Sequence, residues 1–260
     1  MGFMLYLIGM GICDEKDISL RALDALKKCD FVFAESYTSI LSEGALLRLE
    51  ALCGKKIALL QRANVEGEKE ILDACKNGPA VCLLVAGDPL IATTHVSLLL
   101  AAQKKGIATK VLHASSILSA AIGESGLQAY RFGKIVTIPK WKEHYKPSSP
   151  YDTIEENLSR NLHTLLLLDL DENGAHLEPK EALRELLEME EEKKKGIISP
   201  ATNFVLLSRV GWPSQKRIYS SLAALLDGHT DDLPAILILP AKLHFMEEEF
   251  LQEFSMDSGL

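Results

Sequence analysis

Several things are missing from this sequence, and each absence narrows what it can do. Basic charge is not in excess: 28 Lys and Arg stand against 36 Asp and Glu, a formal charge of -8. No global positive field therefore draws the chain to nucleic acid or to an anionic membrane, although local basic contacts stay open. The five cysteines, Cys13, Cys29, Cys53, Cys75 and Cys82, form neither a Cys-x-x-Cys pair nor a Cys/His cluster at zinc spacing. They read as buried, reduced thiols, and no metal site is expected. No stretch reaches the roughly 20 apolar residues of a membrane span. The apolar start Phe3 to Ile8 lacks a basic flank and meets Gly9 too early for a signal peptide, so a cytoplasmic protein is expected. Met1-Gly2 is not read as a myristoylation start, because Tyr6 stands where that motif takes Ser or Thr. Internal repeats and low-complexity segments are absent too.

What is present is a chain of 260 residues, 47% hydrophobic, enough to bury a sizeable core in one large domain or two small ones. The first 112 residues alternate β-rich runs with helical patterns. Strands are predicted at Met4 to Ile8, Phe31 to Ala34, Lys56 to Leu60, Ala80 to Val85 and Thr109 to Leu112. Between them, Ser19 to Lys28 carries Leu20, Leu23 and Leu26 on a helical face entered by a capping Ser. Glu43 to Leu52, Glu68 to Lys76 and Thr94 to Lys105 read as helices closing near Gly54, Gly78 and Gly106. Repeated strand-helix-strand predicts a mainly parallel sheet with helices on both faces, binding ligands at the carboxyl ends of its strands.

After His113 the pattern changes to a second, mixed α/β domain with antiparallel strands, so the domains are placed at 1–112 and 113–260. Its predicted helices are Ser115 to Ile122, Asp152 to Asn161, Pro179 to Lys195 and Leu243 to Phe254. Its strands are Lys134 to Pro139, Thr164 to Leu170, Phe204 to Val210, Arg217 to Tyr219 and Ala235 to Leu239. Lys140 to Tyr151 is a loop whose Trp141, Lys142, His144, Tyr145, Lys146 and Tyr151 suit contact with an acidic partner, or form an ordinary surface loop. The run Glu190 to Lys195 reads as the solvated end of a helix.

Three strand-end loops carry the candidate chemistry. Gly87-Asp88-Pro89 ends an apolar run: Gly87 permits close approach, Pro89 stops strand pairing, and Thr93 or Thr94 is placed to cap the next helix. Alone it is an ordinary turn. Gly9-Met10-Gly11 resembles a dinucleotide fingerprint in part, but Asp14 stands where the third Gly belongs and would confront a pyrophosphate. A cofactor without phosphates fits better. Asp14, Glu15 and Asp17 precede the first helix, whose dipole suits them. His113-Ala-Ser-Ser-Ile117 supplies the third loop, with Ser115 and Ser116 also fit to cap a helix.

Taken together and in order, Leu5 to Ile18, Ala34-Glu35-x-Tyr37-Thr38-Ser39, Gly87-Asp88-Pro89-Leu90-x-Ala92-Thr93-Thr94-His95 and His163-Thr164-Leu165 resemble the diphthine synthase family. That family is part of the tetrapyrrole-methylase-like class of S-adenosylmethionine-dependent methyltransferases, and the match covers nearly the whole chain. Gly-Asp-Pro marks the class; Glu-x-Tyr-Thr-Ser and Ala-Thr-Thr-His mark the family. The resemblance implies two α/β domains with S-adenosylmethionine in the cleft between them, commonly in a homodimer. Family cofactor contacts carry over to Ile12, Asp88, Ile91, Ser116 and Ile117, and in the second domain to Leu168, Val210 and Ala235. Relatives often have His in the stretch where this chain has Pro234-Ala235, which puts a side-chain role for that position in doubt.

The implied reaction methylates the amino group of a modified histidine on translation elongation factor 2, a step in making diphthamide. Positioning, water exclusion and a path for the amine proton are the main contributions such a transfer needs. Glu35, Tyr37 and Asp169 are candidate proton acceptors or amine anchors, or they fix local structure; no catalytic residue is assigned. Two alternatives are a precorrin-type tetrapyrrole methyltransferase and a non-catalytic nucleoside-binding regulatory module.

Overall fold

The computed structural model describes residues 3–35, 37–171 and 174–254; the Met1-Gly2 start lies outside them. The chain divides into two compact units, Met1–Ile117 and Leu118–Leu260.

The first unit is a sheet of five parallel strands, β1 (Met4–Gly9), β2 (Phe31–Glu35), β3 (Ala58–Leu60), β4 (Ala80–Val85) and β5 (Ala108–Leu112), in the order β3-β2-β4-β1-β5. Its strands are apolar on both faces because both are covered, as parallel sheets require. Period-two alternation along β4 sends Val81, Leu83 and Val85 to one core and Cys82 and Leu84 to the other. The first core takes α3 (Arg62–Glu66), α4 (Lys69–Asn77) and α5 (Val96–Lys104) through Val65, Ile71, Leu72 and Leu98. The second takes α1 (Leu20–Leu26) and α2 (Ala45–Cys53) through Ala22, Leu26 and Leu49. All five cysteines are buried and free.

Local signals behave as their chemistry dictates, with four corrections. Ser19 caps α1 by accepting from the Ala22 N–H at 3.2 Å, and Gly54 closes α2 in the left-handed region at φ 68°. Gly78 ends α4 in an extended conformation instead, and α3 is a helix that the sequence pattern does not announce. Strand β3 begins at Ala58 rather than Lys56, because Lys56 and the Ile57 N–H are both held by the Glu50 carboxylate. Neither Thr93 nor Thr94 caps α5: the cap is His95, whose ring is committed elsewhere.

The second unit opens with the rest of α6 (Ile117–Ser125) and builds a mixed sheet from β6 (Val136–Ile138), β7 (Thr164–Leu168), β8 (Asn203–Ser208), β9 (Lys216–Ser221) and β10 (Ala235–Leu239). The order is β6-β7-β10-β8-β9, parallel only between β6 and β7. Its core packs Ile138, Leu166, Phe204, Leu206 and Leu237 against α7 (Ser149–Ser159), α8 (Pro179–Lys193) and α9 (Leu222–Asp227). Helix α10 (Phe245–Gln252) completes the described chain, with His244 as its cap in a reciprocal capping box with Glu247.

Candidate functional site

In the first unit the carboxyl ends of β1, β4 and β5 converge. Beyond the last strand pair, the Gly11 and Gly87 backbones exchange hydrogen bonds, Gly87 N–H to Gly11 O at 2.7 Å and Gly11 N–H to Gly87 O at 3.3 Å. Both glycines have positive φ, 79° and 71°, which L side chains rarely adopt. Gly9 sits where the loops meet: a Cβ there would lie 2.6 Å from Gly87 O and 2.7 Å from Ala114 Cβ. At Gly87 a Cβ would meet nothing within 4 Å, so this glycine faces open space.

Three carboxylates hold these loops by accepting backbone N–H groups. Asp17 Oδ2 takes the Ile12 and Cys13 amides at 3.0 and 2.7 Å, shaping the first loop. Asp88 Oδ1 takes the Leu90 amide at 3.1 Å, while its Oδ2 reaches His113 Nδ1 at 2.8 Å and the Ala114 amide at 3.3 Å. Asp88 thus ties the Gly-Asp-Pro loop to the loop after β5. Glu35, at the end of β2, takes the Tyr37 and Thr38 amides at 3.1 and 2.9 Å on Oε2 and the Ala86 amide at 3.3 Å on Oε1. Glu35 is buried and both its oxygens are engaged in holding this loop.

A buried histidine joins the two motifs that mark the family. His95 Nδ1 lies 3.0 Å from Pro89 O, a carbonyl that also accepts from Thr93 Oγ1 at 3.1 Å. A carbonyl cannot donate, so Nδ1 carries the hydrogen. The ring's Nε2 lies 3.4 Å from Tyr37 Oη. Tyr37 is half-buried, and burial, with Glu35 and Glu66 nearby, pushes its phenol well above the ordinary range against the opposing Arg62 guanidinium 5.5 Å from the ring centre. Sequence reasoning placed His95 in a motif without giving it a partner; its contact runs between residues 58 apart.

Among the positions carried over, Asp88 is buried in this scaffold, Ile91 is exposed at 39%, and Ile12, Ser116 and Ile117 lie in the first and third loops or directly after them. In the second unit, strand register gathers the other three at one end of the mixed sheet. Leu168 closes β7, Ala235 opens β10 opposite Ser208, and Val210 follows β8 by two residues. Arg209 secures this end, donating from its N–H to Pro234 O at 2.8 Å and from Nε to Leu233 O at 3.1 Å. Asp169 uses its backbone there, accepting from the Leu177 N–H at 2.8 Å.

The loop after β6 is partly as expected. Lys142 and Tyr145 pair through their backbones, residues 142–146 are exposed, and Lys146 Nζ sits 4.7 Å above the Trp141 ring. Beneath it, Glu185 is buried and accepts the Trp141 N–H at 3.0 Å; burial pushes its carboxyl up to about 7. Tyr151 corrects the expectation of a surface contact. It lies in α7, fully buried, donating to Glu190 at 2.7 Å. Glu190 in turn is no solvated helix end, since it also accepts the Gly196, Ile197 and Ile198 amides at 2.6, 3.0 and 2.9 Å. The His163-Thr-Leu motif is structural as well. His163 Nδ1 accepts from the Ala241 N–H, so Nε2 carries the hydrogen toward Glu247, which also pairs with Arg131. No group of three or more His, Cys, Asp or Glu that could hold a metal occurs among the described residues, and none of the described helices is long and apolar enough to cross a membrane.

Comparison with known proteins places this geometry in context. A family model described as tetrapyrrole (corrin/porphyrin) methylases matches residues 4–226. The diphthine synthase of Methanothermobacter thermautotrophicus is 42% identical over 253 residues, covering 97% of this chain and 96% of that protein. The diphthine synthase of Methanosarcina barkeri is 43% identical over 255 residues, covering 95% and 94%. Among solved structures, a putative diphthine synthase from Entamoeba histolytica superposes with a TM-score of 0.90 at 39% identity, covering 98% of this chain and all of that one. Another diphthine synthase crystal structure gives a TM-score of 0.85 at 32% identity, covering 97% and 96%.

Proposed function

Because the chain belongs to the tetrapyrrole methylase family, and within it to the diphthine synthases along nearly its whole length, we propose that it methylates the amino group of the modified histidine of translation elongation factor 2. It is an S-adenosylmethionine-dependent methyltransferase. The observation that carries the reading is the joining of the Glu35-x-Tyr37-Thr38-Ser39 and Gly87-to-His95 motifs through the His95 ring at one set of strand ends.

The strand ends of the first unit fit the cofactor. Gly87 leaves open space beside them, and the loops 87–95 and 113–117 contain no Lys or Arg to grip a phosphate. We assign contacts to Ile12, Asp88, Ile91, Ser116 and Ile117, and from the second unit to Leu168, Val210 and Ala235. Most are apolar, as suits burial of adenine and a methionine chain, so backbone groups at strand ends supply the polar contacts. Asp88 acts through the loops it ties, and Ala235 through its backbone. Bound there, S-adenosylmethionine supplies an electrophilic methyl group on a sulfonium. The protein's own residues position the amine, exclude water and hold the amine proton. The exposed loop 142–146 is the surface offered to the protein substrate, and the enzyme works as a cytoplasmic homodimer.

The test is to incubate the enzyme with labelled S-adenosylmethionine and elongation factor 2 with and without the aminocarboxypropyl group on its histidine. Label on the modified factor alone is expected. Equal labelling of both forms overturns the reading, and methylation of a corrin precursor instead turns it toward a tetrapyrrole substrate.

A further inference from the structure

We propose that Tyr37 and His95 form a proton relay, in which Tyr37 touches the substrate amine and His95 receives the proton behind it. This rests on the amine-methylation reading above. Each transfer uses the amine lone pair to form an N–C bond while the S–C bond breaks with its electrons remaining on sulfur. An amine that arrives as an ammonium must first give up a proton.

The geometry fixes the direction of that proton. Pro89 O holds the hydrogen on His95 Nδ1, so Nε2 is the acceptor of the neutral ring and Tyr37 Oη donates to it across 3.4 Å. The phenol oxygen then keeps its lone pairs for the amine N–H. As the amine proton passes to Tyr37 Oη, the phenol proton passes to His95 Nε2. The result is a neutral amine, an intact phenol and an imidazolium with one N–H on Pro89 O and the other on Tyr37. When the methylated product leaves, the same path returns the proton to solvent through Tyr37.

Burial decides which partner does what. His95 is 2% exposed and reachable only through its neighbours, whereas Tyr37 is half-buried. The phenol is held protonated by burial and by Glu35 and Glu66, with Arg62 opposing, so Tyr37 conducts a proton rather than storing charge. Glu35 is no competitor, since its oxygens are occupied by three backbone amides. Acceptor distances at such sites are often long before substrate binds.

The experiment compares wild type with Tyr37→Phe, His95→Asn and the double variant. Phe keeps the ring, and Asn supplies an N–H to Pro89 O without a basic nitrogen. Expected is a fall in kcat of ~100-fold for each single variant, the lower end of what a positioned acid or base contributes being about that size. The double variant should be no slower than the slower single, as for residues acting as a unit. The defect should shrink as the pH rises toward the range in which the amine loses its own proton, because solvent then delivers the neutral amine. Glu35, Arg62 and Glu66 face Tyr37 in every variant and do not alter this contrast. Calorimetric affinity for S-adenosylmethionine and the melting temperature should match wild type, and nitrogen NMR should find His95 as the Nδ1–H tautomer. Unchanged kcat, additive losses, a pH-independent defect or an Nε2–H tautomer each overturns the relay. If wild type itself fails to label the modified factor, the function falls and takes the relay with it, while the NMR result still reports on the pair.

Discussion

The two units place amide-gripping carboxylates in opposite service. In the first, Asp17, Glu35 and Asp88 grip backbone amides of strand-end loops, so charge shapes the mouth of a sheet. In the second, Glu190 and Glu247 grip the amides where helices end or begin, so charge fastens the periphery of a core. The chemistry is the same, carboxylate to N–H, and open space adjoins a glycine in both, at Gly87 and at Gly196, yet only the first arrangement lies at the carboxyl ends of parallel strands. An acidic residue in a motif is therefore informative about function through where its anchored loop lies, more than through its own charge.

The largest effect is expected in the second unit. Glu247→Ala deprives the Arg131 charge of its carboxylate and strips the acceptor from the Gln128 and His244 amides and from His163, whose own burial holds its imidazole below the usual range. Breaking such a buried cluster costs about 3–5 kcal/mol, which denaturant unfolding measures. A loss below about 1 kcal/mol would show that the cluster is held as weakly as a surface pair.

Gly9→Ala strikes the first unit where its loops meet. The added methyl group runs into backbone, so overpacking of about 1–3 kcal/mol is expected together with at least ~10-fold weaker S-adenosylmethionine binding. Melting and calorimetry on one sample read both; wild-type affinity would break the link between this convergence and the cofactor.

Glu185 is the exception that sharpens the comparison, a buried carboxyl that accepts one amide where the others hold two or more groups. Its carboxyl sits at about 7 when folded, above the ordinary value, so the folded protein binds the extra proton between about pH 4.5 and 7. Stability conferred by the protonated form is complete below that window and falls as pH rises through it, by about 1–3 kcal/mol. Glu185→Gln should flatten that slope in melts taken from acid to neutral pH. An unchanged slope would assign it to other groups.

The smallest change in stability is expected at Gly87. Its φ of 71° would strain Val whatever the space, which makes Gly87→Val a poor probe, whereas Asn tolerates the left-handed region. Gly87→Asn should cost only about 1 kcal/mol and still weaken cofactor binding, because its side chain occupies the open space. Undiminished affinity would move the cofactor away from this loop.

The first sheet was legible in the sequence because β-rich runs separated by amphipathic helices permit few arrangements. Its strand ends were legible because Gly9, Gly87 and Pro89 interrupt apolar runs. The roles of Tyr151 and Glu190 were hidden, since their contact spans 39 residues and a charge run looks the same whether solvated or folded over amides. Helix α3 was hidden by its brevity. His95 was visible only as the end of a motif; that Tyr37 lies against it depends on β2 and β4 being neighbours, which sheet order decides and local pattern does not.

The Gly11–Gly87 exchange is an antiparallel rung set on an otherwise parallel sheet. Two segments leaving their strands in the same direction are turned back upon each other and locked before any ligand arrives. A molecule entering there has little chain left to immobilise, so the unfavourable entropy of its binding comes mainly from its own lost freedom. Its capture is expected to be governed by diffusion and dehydration, with slow amide exchange at both glycines already present in the free protein.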